Sequence, residues 1–241
     1  MRVYAVGDVH GRLDLLQAME ELIEDDRRET GRHLDTLVVH LGDLVDRGYD
    51  SSSVLDHVGA SASGGVPRVL LLGNHDLWLR EFAAADGMDA DQVASWIRFG
   101  GDATLLSYGI KLDPRLPEAE RFDHARRELR QRFPASHAAL LASLDLAFGF
   151  GDYFFCHAGI RPDVPLSRQT EADLLWIREP FLTWNGECGK IVVHGHTVEE
   201  SPVTRPNRIG IDTGACWTGR LTCLVLEGSD RRFLQTGGQP T

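Results

Sequence analysis

The sequence predicts an α/β fold, and three observations carry the prediction. Short apolar runs alternate with helix-period segments, each run ends in a glycine-rich turn, and acidic or imidazole side chains fall in those turns. In open α/β sheets the site lies at the carboxyl ends of the strands, which is where these motifs sit. The first run, residues 2–6 (RVYAV), ends in GDVHG. Leu13, Leu16, Met19, Leu22 and Ile23 then recur at the spacing of one apolar helix face. Residues 36–41 (TLVVHL) form a second strand ending in GDLVDRG, and Ser51–Ser53 open another helix. A third strand, residues 68–72 (RVLLL), ends in GNHD.

From about Asp86 to Leu144 the character changes to a helix-prone stretch with Pro114, Pro117 and Pro134. Its charged run EAERFDHARRELRQR reads as a solvated amphipathic helix rather than a binding patch. The stretch, residues 86–144, is expected to be a helical insertion near the mouth of the site, within a single domain spanning residues 1–241. Beyond it, AFGF-GD-YFFC predicts a hairpin turning at Gly151–Asp152. KIVVHGH, RIGID and LTCLVLEG are strand-rich and are expected to add a second sheet.

At 241 residues, 42% hydrophobic and 25% charged, the composition is that of a globular protein with a substantial core. No apolar run approaches the ~20 residues needed to span a bilayer. The N-terminal MRVYAVGDVH runs straight into a strand without a cleavable leader, so a cytoplasmic protein with no membrane partner is expected. Cys156, Cys188, Cys216 and Cys223 form no Cys-x-x-Cys pair, and Cys156 in YFFC reads as a small buried hydrophobe. The formal net charge of −11 disfavours a nucleic-acid partner. Divalent cations held by some of those acids would nevertheless make a local anion site.

Asp8 and His10 stand two apart at a strand end, so both would face one ion if the strand geometry persists. Asp43 ends the second strand and Asn74 and His75 the third, and adjacent parallel strands lie ~4.8 Å apart. Mixed carboxylate, imidazole and amide donors suit Mn, Fe, Zn or Ni. Each fragment alone is modest evidence. It is their order, GDVHG, GDLVDRG, GNHD, CHAG, HGHT, that carries weight.

In that order the chain resembles the calcineurin-like metallophosphoesterases, and within them the bacterial and phage serine/threonine phosphoprotein phosphatases. The resemblance runs from Met1 to about Gly228 and includes LLWIRE at 174–179 and GIDTGACWTGRLT at 210–222. It implies a β-sandwich flanked by helices. It also implies two divalent cations, Mn²⁺ first with Fe, Zn or Ni as alternatives. Asp8 and His10 match ligands of the first, Asp43 the bridge, and Asn74, His157 and His196 ligands of the second. The mechanism implied is direct attack by a metal-bridging hydroxide, with His75 protonating the leaving group, Asp46 orienting His75, and Arg47 and Arg178 gripping phosphate.

Three further residues are weighed on position. His194 precedes the Gly-His step and reads as a hydrogen-bonding neighbour rather than a direct ligand. Arg161 could touch substrate or make a structural pairing, and His40 reads as packing. The activity expected is hydrolysis of a phosphomonoester, foremost phosphoserine or phosphothreonine in a protein, with phosphotyrosine or a small phosphoester as further substrates. The enzymatic alternative is a diadenosine tetraphosphatase-like phosphoanhydride hydrolase. The rival from another class is a binding module that has lost catalysis, which should show broken ligands or a missing His75; neither is seen.

Overall fold

A strand apolar on both faces belongs in the middle of a layered fold, and β1 (Arg2–Val6) is buried along its whole length. In the computed structural model, which describes residues 1–30, 35–61, 65–84 and 87–237, β1 is the centre of a five-stranded sheet. It pairs in parallel with β2 (Thr36–His40), which in turn pairs in parallel with β3 (Arg68–Leu70). Helices α1 (Leu13–Thr30) and α2 (Ser51–Ser61) make the crossovers. The expected third strand is shorter as a ladder, and Leu71 continues it only as a single bridge to Asp145.

The second sheet contains β4 (Ala147–Phe150), β5 (Tyr153–Cys156), β6 (Ile191–His194), β7 (Val203–Thr204) and β8 (Arg208–Gly210), in the order β4-β5-β6-β8-β7. β4 and β5 form the expected hairpin, with Gly151 at a φ of 53° in the turn. One expectation is corrected here. LTCLVLEG does not join the second sheet: β9 (Thr222–Glu227) returns to the first and pairs antiparallel with β1, with β10 (Asp230–Gln235) outside it. The reason is in its alternation. Cys223 and Val225 enter the core under the helices, while Leu224 and Leu226 enter the core between the sheets. Such a strand needs cover on both faces, and the slot beside β1 supplies it.

Three apolar layers hold the sandwich together. Val3, Ala5, Val39 and Leu41 of the first sheet meet Phe155, Val193 and Ile209 of the second. Tyr4, Val6 and Val38 face α1, α2 and α3 (Asn74–Ala83) on the far side of the first sheet. Phe154, Cys156 and Val192 pack on the outer face of the second sheet against Ile160, Leu174 and Phe181.

Asp86, where the expected insertion begins, lies outside the described residues. From Ala90 onward the stretch is largely helical: α4 (Ala90–Trp96), a segment kinked at Gly100 (Ile97–Gly101), α5 (Asp102–Ser107), α6 (Glu118–Arg132) and α7 (Ala135–Ala142). Pro117 and Pro134 stand immediately before α6 and α7, where no amide donor is required. α6 buries only Phe122, Ala125 and Leu129, one stripe of an otherwise polar helix, as the charged run predicts. No helix among the described residues is long and apolar enough to cross a membrane.

Phe155 is fully buried between the sheets. Phe155→Ala is expected to lower unfolding stability by about 3–5 kcal/mol, read as a reduced urea midpoint at unchanged slope.

Candidate metal centre

The loops that carry the motifs are locked to one another by backbone hydrogen bonds. The amides of Val9 and His10 both donate to the Asp43 carbonyl, at 3.1 and 2.9 Å, so the turn after β1 rides on the turn after β2. Strand geometry does not persist as far as His10. β1 ends at Val6, and His10 has a φ of 46°. Shared strand parity with Asp8 therefore does not aim its ring; a left-handed turn does. Among the described residues six non-glycine residues have positive φ, and five of them are His10, Asp43, Asp46, Arg47 and His196. The left-handed conformation costs roughly 1–2 kcal/mol at each such residue. Strain gathered in one place marks a functional site.

Asp43 is the hub. Its Oδ2 lies 3.4 Å from His10 Nε2, 3.4 Å from His157 Nε2 and 4.0 Å from His75 Nε2. Its Oδ1 accepts the His75 amide at 2.9 Å, at the first turn of α3, where the helix N-terminus favours negative charge. Gly73, just before that turn, packs so closely that an added Cβ would overlap the amide and carboxylate of Asp43. Burial opposes ionisation of Asp43, yet the imidazoles of His157, His75, His10 and His196 hold its carboxyl well below the usual range.

The orientation of the rings shows what the cluster suits. His10 Nδ1–H donates to the Val45 carbonyl at 2.8 Å, and His157 Nδ1–H donates to the Leu41 carbonyl at 2.9 Å. Burial lowers the pKa of both rings, so each is neutral with a lone pair on Nε2. Those lone pairs face the Asp43 carboxylate, and His157 Nε2 also stands 2.9 Å from Asn74 Oδ1, as does His196 Nδ1. Lone pairs turned toward oxygens suit a cation. Asp43, His157 and His196 form one compact donor group, with Asn74 against both rings; His10, Asp43 and His75 form another.

Asp8 is not in either compact group. Its Oδ2 accepts the His196 amide at 3.1 Å, and its Oδ1 has no hydrogen-bond partner. Burial and the charges of Asp212 and Asp43 push its carboxyl well above the usual range. Asp212 is likewise buried, with Oδ2 unpartnered, and burial raises it to about 6 with the Asp43 charge adding to the shift. His196 Nε2 is a third buried atom without a partner. Buried polar atoms are ordinarily paired, so these orphans, beside neutral imidazoles and an anionic hub, fit divalent cations.

His75 lies across Asp43 from Asn74. Both belong to the first turn of α3, where successive residues point ~100° apart. Helix geometry, not a strand end, separates their directions. His75 Nδ1–H donates to Asp46 Oδ2 at 2.6 Å. Asp46 is fixed in turn by Trp96 Nε1–H at 2.7 Å and the Thr104 hydroxyl at 2.6 Å, both from the 90–107 helices. Burial works against the His75 imidazolium, but Asp43 and Asp46 outweigh it and raise the pKa. The Arg47 guanidinium donates to His10 Nε2 and, at 3.0 Å, to His75 Nε2. Arg178 is exposed beside the centre, its Nη2 3.4 Å from the His196 carbonyl.

The remaining residues fall outside the donor groups. His194 Nε2 accepts from Arg208 at 3.2 Å and its ring packs on Phe181, so it supports the strand beneath His196. Arg161 is paired with Asp173 at 2.7 Å, and His40 is buried against Arg68 at 3.2 Å. The cysteines are free, and burial pushes the Cys156 thiol up. Sequence reasoning missed four participants. Asp212 sits in GIDTG and could have been flagged by its motif. Asp76, in GNHD, accepts the Leu44 and Gly73 amides at 2.9 and 3.0 Å and joins the second and third loops. Trp96 and Thr104 carry no motif signal at all.

Such a centre, with arginines at its edge and no activated serine or cysteine in it, is suited to metal-dependent hydrolysis at phosphorus. Comparison with known proteins agrees. The family model described as calcineurin-like phosphoesterase matches residues 1–220, and the chain belongs to that family of metallophosphoesterase hydrolases. Membership implies divalent metal ions. The chain is 25% identical to a symmetrical bis(5'-nucleosyl)-tetraphosphatase of Methylobacillus flagellatus, over 100% of this chain and 96% of that protein. It is 29% identical to the protein of that name from Legionella pneumophila strain Corby, over 95% of each. Among solved structures, one provisionally named a diadenosine tetraphosphatase aligns with a TM-score of 0.63 at 22% identity, covering 97% of this chain and 93% of that one. A cold-active protein tyrosine phosphatase aligns with a TM-score of 0.61 at 18% identity, covering 97% and 78%. At these identities the structures speak for the fold alone.

Asp43→Asn is expected to weaken binding of both cations and abolish activity, whereas His196→Ala should lower occupancy of one. Equilibrium dialysis with metal analysis reads the difference directly. Asp212→Asn is expected to change the affinity of the cation nearer Asp8 while the chain still folds; equal affinity in the variant would leave Asp212 a bystander.

Proposed function

We propose that the chain is a two-cation phosphoanhydride hydrolase that splits dinucleoside tetraphosphates symmetrically into two nucleoside diphosphates. The observation that carries this reading is the end-to-end match with relatives named symmetrical bis(5'-nucleosyl)-tetraphosphatase, which leaves no large part of either chain unaligned. The phosphoprotein phosphatase that the sequence resemblance places first has only fold likeness behind it. The binding-module reading is the weakest, because every matched donor and His75 are present in the sequence, and His10, Asp43, His75, His157 and His196 lie in two compact groups.

In this reading Asp8, His10, Asp43, Asn74, His157 and His196 would hold two divalent cations, with Asp43 shared between them and Mn²⁺ the expected metal. Bound divalent cations supply an acidified water and polarise phosphoryl oxygens. Arg47 and Arg178 add planar, permanently charged donors for the nonbridging oxygens, where negative charge concentrates in the transition state. Asp46, with all three of its side-chain partners in place, holds His75 toward the leaving oxygen. The water oxygen bonds to one inner phosphorus and releases a proton to solvent, and the central bridging P–O bond breaks. The departing diphosphate oxygen keeps the electron pair and takes a proton from His75 or solvent. The absence of disulfides among its four cysteines and a nucleotide substrate fit a cytoplasmic enzyme.

Product analysis of diadenosine tetraphosphate with Mn²⁺ tests the reading: ADP alone is expected, and turnover should exceed that of a phosphoserine peptide. ATP plus AMP, or preference for the peptide, would overturn it. The role of His75 is tested by leaving-group basicity. A terminal phosphate leaving group has a pKa near 6, whereas phenolate has one of about 10. His75→Asn should retain both cations, lose on the order of 10²–10⁴ in kcat on phenyl phosphate, and lose less on diadenosine tetraphosphate. Loss of metal from this variant would instead make His75 a ligand.

A further inference from the structure

Polar groups fill the centre, but aromatic rings flank it. Trp78 follows His75 by three residues, Trp176 precedes Arg178 by two, and Trp217 follows Asp212 by five, so each lies in or just after a motif that also supplies a site residue. Two walls result. In the first, Trp78 stands edge-on to His75 at 5.1 Å, Trp176 packs on Trp78 at 4.9 Å, and Phe99 stacks parallel to Trp78 at 6.0 Å and 17°. In the second, the Trp217 ring lies under the Arg47 guanidinium at 4.7 Å. Phe99 is 53% exposed and Trp217 61% exposed. Large rings left open to water are the informative exception to burial, most of all beside a polar centre.

Both walls are built into the site. Phe99 stands just before the kink at Gly100 that separates α4 from α5, and the Gly100 carbonyl accepts the Arg47 amide at 3.1 Å. Gly100 has a φ of 109°, and a Cβ there would press on Arg47, so the kink is shaped to lie against it. Both walls present aromatic rings. What they offer is flat π-surface, which any nucleobase can use.

We propose that these walls are the base-binding subsites of the nucleotide substrate: one purine stacks on Phe99 with Trp78 and Trp176 behind it, the other on Trp217. This rests on the reading that the centre cleaves dinucleoside polyphosphates. The first wall leans on His75 and the second on Arg47, so a substrate with a base on each places its polyphosphate across the donor groups. The overall charge of −11 does not favour an anion, which leaves stacking, Arg47 and Arg178 to supply the attraction on the protein's side. A base on each wall also accounts for a cut in the middle of the chain of phosphates, with a nucleoside diphosphate on either side.

The test compares kcat/KM for diadenosine tetraphosphate with that for p-nitrophenyl phosphate, which has no base, in the Mn²⁺-loaded wild type and in Phe99→Ala and Trp217→Ala. Base stacking is worth about 1–3 kcal/mol, so the selectivity ratio should fall by roughly five- to 150-fold in each variant, chiefly through KM. Phe99→Tyr and Trp217→Phe should restore most of it, and metal content should match wild type in all four. A ratio unchanged in both alanine variants, while wild type still yields ADP, overturns the subsites and leaves the activity standing. Wild-type protein that leaves diadenosine tetraphosphate intact overturns the activity instead. In that case ADP added to the Mn²⁺-loaded protein, if it quenches no tryptophan fluorescence, removes the base subsites as well.

Discussion

A buried carboxylate faced by neutral imidazoles is unfavourable unless positive charge stands between them, and the rest of this structure is arranged around that fact. Asp43 and its neighbours come from loops at the carboxyl ends of strands in both sheets. The rings of His10 and His157 each donate from Nδ1 to a main-chain carbonyl, which aims Nε2 inward and keeps it unprotonated. The strained backbone of His10, Asp43, Asp46, Arg47 and His196 is held by the same loop-to-loop hydrogen bonds. The sandwich beneath is what makes such strain tolerable: burial of both sheets fixes the strand ends, and the loops have nowhere to relax.

Much of this was legible in the residues. Strands with apolar runs, and helices with a single apolar stripe, announce themselves through local periodicity, and the donor residues are confined to short motifs at strand ends. The mode of presentation was not legible. Asp8 and His10 are spaced as a strand pair, yet a left-handed turn intervenes, because the chain must bend to bring His10 over Asp43. The placement of β9 was missed for a related reason. An apolar strand on its own does not say which sheet it joins, and pairing with β1 depends on an edge left open by residues more than 200 positions earlier.

Trp96 and Thr104 were beyond reach in another way. They fix Asp46 from about 50 and 58 residues away, within helices whose sequence reads only as amphipathic filler. The 90–142 helices therefore do more than flank the mouth. They hold the carboxylate that aims His75 and carry Phe99 to the rim. The same chemistry at phosphorus can serve monoesters or anhydrides, so the donor set does not choose between them. Choice falls to the rim, where the helices and the 210–222 motif place aromatic surface.

The central claim is that Asp43 sits between two cations. X-ray diffraction from Mn²⁺-soaked crystals at the manganese absorption edge measures this most directly. Two anomalous peaks ~3.5–4 Å apart are expected, with Asp43 Oδ2 within bonding distance of both. One peak is expected near His10 and Asp8, the other among Asn74, His157 and His196. A single peak bound by His10, His75 and Asp43, with nothing beside Asn74, would contradict it.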